Sequence, residues 1–99
     1  MPFGDFVNQI PAIGFLAIHV ALFAIGAYLA WRSFGAGQST VAWAFSLFAL
    51  AEIVYMTYHL DWTVFLFAHL IAEVLDALAF VLVFVAATRR AVSLSGSNA

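Results

Sequence analysis

Residues 52–76 read EIVYMTYHLDWTVFLFAHLIAEVLD, from Glu52 to Asp76. This stretch holds four of the five acidic residues and two of the three histidines, in a chain that is otherwise almost wholly apolar. It also holds the shortest break between two long hydrophobic runs, His59-Leu60-Asp61. So short a connection joins antiparallel neighbours, and it predicts a tight helical hairpin. Asp61 stands where a side-chain cap for the second helix of that hairpin belongs.

The runs on either side decide the solvent. Working outward, VAWAFSLFALAEIVYMTY covers 41–58 and is interrupted only by Glu52, while the following run covers 62–88. A third run, AIGFLAIHVALFAIGAYLAW, covers 12–31 behind Pro11, which suits the first turn of a helix. A hydrocarbon core of about 30 Å takes roughly 20 apolar residues in a helix. The runs are too long for barrel strands of about ten residues, and they lack apolar/polar alternation. The expected fold is therefore an all-α integral membrane protein with three transmembrane helices, forming one domain over 1–99. Helices are placed at 12–31, 41–58 and 62–88, with residues 91–99 as a flexible tail. In the loop at 32–40, Gly35 and Gly37 break the first helix, and Ser39 or Thr40 can cap the second.

Composition agrees. A hydrophobic fraction of 67% with 8% charged residues lies far from the soluble range of about 45–50% and about 25%. Lipid bilayer is the expected surrounding. No basic patch exists to attract nucleic acid. Cysteine is absent, so neither disulfides nor thiolate metal sites arise. The N-terminus carries Asp5 and no basic residue, unlike a cleavable signal peptide. Arg32, Arg89 and Arg90 fall on one side of a three-span chain, and Asp5 and Asp61 on the other. The positive-inside rule then gives a cell-membrane protein with its N-terminus outside and its C-terminus cytoplasmic. Tyr28, Trp31 and Trp43 would form the inner aromatic belt, and Tyr55, Tyr58 and Trp62 the outer one.

Function is sought in the ionisable groups. Counting at about 1.5 Å per residue from the outer ends of the runs, His19, Glu52 and His69 each lie about 9–11 Å deep, one per helix. Glu73 is one turn deeper, and Asp76 is near the midplane. Spacings of four and three put His69, Glu73 and Asp76 on one face, and Glu52 shares a face with Tyr55 and His59. A carboxylate facing lipid costs roughly 3 kcal/mol, so these faces are expected to turn inward, where Glu52 can bond either His19 or His69.

Three functions fit such a cluster. The first is an accessory or interaction subunit, in a homo-oligomer or a larger membrane complex, whose polar groups hold helices together. The second is a proton- or cation-handling module working as an oligomer, with the same five residues as a descending ladder. The third is a metal- or haem-binding protein, with His19, Glu52, His69 and Glu73 as the candidate metal set. No cofactor is required by the residues, and the spacing lacks the Glu-x-x-His signature of bundle di-iron sites. No nucleophile triad, phosphate loop or dinucleotide motif points to an enzyme.

Overall fold

Alanine- and leucine-rich runs have every reason to coil, since a helix satisfies each backbone N–H and C=O within its own segment. The computed structural model describes residue 7 and residues 9–97, with side chains up to Leu94; Asp5 lies outside the described residues. Three helices follow one another: α1 (Ala12–Gly35), α2 (Ser39–His59) and α3 (Phe65–Ser97). No strand occurs among the described residues. All three helices are long and apolar enough to cross a membrane. At about 1.5 Å per residue they run to about 36, 32 and 50 Å.

Both helix-ending turns are built the same way. After α1, Gly37 takes a left-handed backbone (φ +76°). Its N–H bonds the Phe34 carbonyl, and the Gln38 N–H reaches back to Ser33. After α2, Asp61 takes the left-handed position (φ +64°), its N–H bonds the Tyr58 carbonyl, and the Trp62 N–H reaches back to Thr57. These are Schellman closures, which satisfy carbonyls that the helix end would otherwise leave free. Asp61 therefore ends α2 and does not cap α3, which begins at Phe65, later than the expected Trp62. Thr57 and Thr63 hydroxyls, 3.0 Å apart, tie the resulting five-residue link together. Likewise neither Ser39 nor Thr40 caps α2: Gln38 occupies the cap position and makes no side-chain cap bond. At the far end α3 runs through Arg89 and Arg90 to Ser97. Arginine is a good helix former, so the residues expected to be a flexible tail continue the helix as far as Ser97.

The helices pack through small residues. α2 contacts both α1 and α3, whereas α1 and α3 make no contact with each other among the described residues. On α2, Ala42, Ala44, Ala49 and Ala51 are buried; α1 buries Gly26 and Ala30, and α3 buries Ala68, Ala72 and Ala79. Such seams let backbones approach closely. The arrangement is thus a bent layer with α2 in the middle: one side of α2 is exposed through Trp43, Leu50 and Ile53, and the opposite side, between α1 and α3, forms the floor of an open groove.

Candidate functional site

The groove floor is a single stripe of α2. Phe45, Phe48, Glu52, Tyr55 and His59 recur at three- and four-residue spacing, one above another on the helix. Glu52 is the buried acidic residue among the described residues, 6% exposed. Its partner is on α1: Nδ1 of His19 donates a hydrogen bond to Oε2 of Glu52, and the two side chains form a part-buried, hydrogen-bonded couple. Of the two partners open to Glu52 from depth alone, the structure selects His19 and not His69.

Aromatic rings hold this couple in place. The His19 ring stacks on Tyr55 at 5.3 Å and lies 5.2 Å from His59, which in turn stacks on Phe15 of α1 at 5.0 Å. Tyr58 packs edge-on against Phe65 of α3 at 5.4 Å. Tyr55 and Tyr58 are consequently half-buried packing residues. Tyr28, Trp31, Trp43 and Trp62 remain exposed, as belt residues would be. His59, which opens the short break between the two runs, belongs to this ring cluster.

On the α3 wall the helical repeat puts His69, Glu73 and Asp76 on the groove side. Tyr55 lies within electrostatic range of Glu52, Glu73 and Asp76, and its hydroxyl faces the Glu73 carboxyl. Asp76 is within range of both glutamates. His69 stacks on Phe65 at 5.3 Å and is exposed, as is Glu73. Helical position thus sets His69, Glu73 and Asp76 along one side of α3, and among the five sequence candidates only His19 and Glu52 bond each other. Among the described residues no three His, Asp or Glu side chains gather closely enough to hold a metal ion. In particular, His69 and Glu73 do not join the His19–Glu52 couple, so the four-residue metal set does not assemble.

Below Asp76 the groove changes character. A cavity of about 350 Å³ opens between the three helices, with Ile25 and Leu29 on one wall, Phe45 and Phe48 on the floor, and Asp76, Phe80 and Val83 opposite. Asp76 Oδ1 is buried there without a hydrogen-bond partner among the described residues. Neither the floor stripe as a cluster nor this cavity was visible in the spacing of charges, because the apolar walls carry no distinguishing residue type. Comparison with known proteins finds no family, no curated relative and no solved structure that matches the chain.

Proposed function

We propose that this is a multi-pass membrane protein acting as an assembly subunit, whose open groove is completed by a further membrane helix. The carrying observation is that α1 and α3 do not touch, which leaves His69 and Glu73 exposed on an apolar helix. Facing lipid at that depth, a carboxylate costs roughly 2.5–3.5 kcal/mol. Covering helices remove that cost. In this reading α2 and α3 form a tight antiparallel hairpin in the cell membrane, with the N-terminus outside and Arg32, Arg89 and Arg90 at the cytoplasmic face. A second copy is the simplest cover. The groove rim offers donors (His69, Tyr55) and acceptors (Glu73, Asp76) together, the self-complementary mixture that a two-fold interface needs.

The chain contains no cysteine, so single introduced cysteines report without background. Phe80→Cys, on the groove side of α3, is expected to cross-link copies in native membranes; Leu78→Cys, on the far side, is not. A chain that stays monomeric, with no cross-link at Phe80→Cys and no stoichiometric partner, rejects the proposal.

A second reading, cation handling, draws on the line of groups from His59 through His19 and Glu52 to Tyr55, Glu73 and Asp76. Beyond Asp76 the walls are apolar, so one chain supplies only the outer half of a path. Proteoliposomes loaded with a pH-sensitive dye are expected, in this reading, to show proton flux that falls at least tenfold with Glu73→Gln. Flux that is absent, or indifferent to that substitution, rejects it.

A further inference from the structure

The assembly reading is carried by the exposed His69 and Glu73; the cavity beside Asp76 presents a different problem. Its walls are aliphatic and aromatic, and its one unsatisfied polar atom is Asp76 Oδ1. A buried acceptor left unpaired costs about 1–3 kcal/mol, and each such group in a native structure calls for a physical reason. The nearest interacting groups make the need greater. Glu52 and Glu73, within electrostatic range, are acidic like Asp76 itself. The α1 wall at this level contributes Ile25 and Leu29, which have no donor to offer.

We propose that this cavity is a binding site for a lipophilic organic monocation, such as a quaternary ammonium or phosphonium with aromatic or branched apolar substituents. The lining selects a cation, since an anion would meet the Asp76 carboxyl group and no positively charged side chain among the residues that border the cavity. The walls select an organic one. A metal ion takes about six or more oxygen ligands, or a comparable set of nitrogen and oxygen donors, and here one carboxylate is available. The weakly hydrated charge of a substituted onium ion needs no such shell. The rings of Phe45, Phe48 and Phe80 border the same space, and aromatic faces attract cations by about 0.5–2 kcal/mol. A volume of about 350 Å³ lies in the range of small-molecule pockets, about 300–1,000 Å³. Gly26 keeps the α1 wall thin, because a Cβ there would meet the Phe48 ring at 2.8 Å. Every wall comes from one chain.

Radiolabelled tetraphenylphosphonium serves as the probe, with tetraphenylborate as its anionic isostere of the same shape. The purified full chain in detergent micelles is expected to bind tetraphenylphosphonium saturably, at one per chain, in monomeric and oligomeric fractions alike. Asp76→Asn is expected to weaken binding at least tenfold. Val83→Trp, at a rim position that is 45% exposed, fills the mouth without disturbing a helix seam and is expected to do the same. Tetraphenylborate is expected not to compete. Non-saturable uptake equal to that of empty micelles overturns the proposal. So does unchanged binding in a folded Asp76→Asn variant. Equal binding of tetraphenylborate also overturns it and marks the groove as a lipid-chain surface. Should Asp76→Asn fail to fold, Val83→Trp and the isostere decide alone. Failure of the cross-linking experiment leaves all these outcomes readable, since each is scored per chain.

Discussion

His19→Ala is expected to lower stability by about 3 kcal/mol and Glu52→Ala by about 2 kcal/mol, with the double variant losing clearly less than the sum. The asymmetry follows from burial. Glu52 is 6% exposed in the packed α1–α2 seam, so removing His19 leaves a carboxyl group with no alternative partner. Removing Glu52 leaves an imidazole that is less deeply covered and already stacked on Tyr55 and beside His59. Two magnitudes compete here. An ordinary interhelical hydrogen bond in a membrane averages about 0.6 kcal/mol, whereas breaking a buried charged pair costs about 3–5 kcal/mol. The pair is part-buried and removal of His19 leaves Glu52 buried without its bond, which places it nearer the second figure, while partners found in the unfolded state in lipid pull it down. Glu52→Gln keeps an acceptor and is expected to lose less than half as much as Glu52→Ala. Reversible unfolding in mixed micelles measures all four variants. A coupling energy below about 0.5 kcal/mol would show that the two side chains merely share a seam.

Gly26→Leu is expected to separate α1 from α2. A Cβ at this position falls 2.8 Å from Phe48 Cδ1 and 3.4 Å from Ala49 Cβ. The first contact demands movement of a ring that itself floors the groove. Overpacking of this kind costs about 1–3 kcal/mol, and a whole isobutyl group in a helix–helix seam belongs at the upper end or beyond. Gly26→Ala is expected to fall in the lower part of that range. Gly35→Ala is the control: nothing lies within 4 Å of its Cβ position, and the gain in helix propensity makes it neutral or stabilising by up to about 1 kcal/mol. Energy transfer between dyes on cysteines introduced at the outer ends of α1 and α2 reads the separation directly. Unchanged transfer in Gly26→Leu would mean that the Phe48 ring yields at little cost.

The three helices were legible because twenty-residue apolar runs leave few alternatives. Their ends were not. Asp61 looked like a cap for the helix after it, since the residue type serves there. The left-handed backbone that makes it the end of α2 depends on hydrogen bonds to Tyr58 and Thr57 that no spacing reveals. Arg89 and Arg90 looked like a stop because they mark a change of solvent, but a change of solvent does not end a helix. The candidate groups His19, Glu52, His69, Glu73 and Asp76 were found by their cost in an apolar setting. Which of them bond was hidden, because counting from the ends of the apolar runs gives His19 and His69 the same depth. The choice is made by the azimuth of Glu52 on α2, which faces the α1 side of the groove. The cavity below Asp76 was beyond reach altogether. It arises from a missing contact between α1 and α3, and a missing contact leaves no signature in composition or period.

That missing contact also governs how the molecule yields. α1 and α3 are each held only to α2, along seams of alanine and glycine. Alanine and glycine have no rotamers to rearrange, so an outer helix that rolls by a few degrees strains chiefly the few larger contacts across its seam: His19–Glu52 and the ring stacks on the α1 side, and Tyr58–Phe65 on the α3 side. The aperture of the groove is therefore a compliant coordinate, bounded by the two rigid turns at Gly37 and Asp61 but unopposed across the gap. Occupants of different girth fit by changing the dihedral angle between the two seams. What resists this change is the two turns together with the His19–Glu52 bond and the ring stacks that tie α1 to α2.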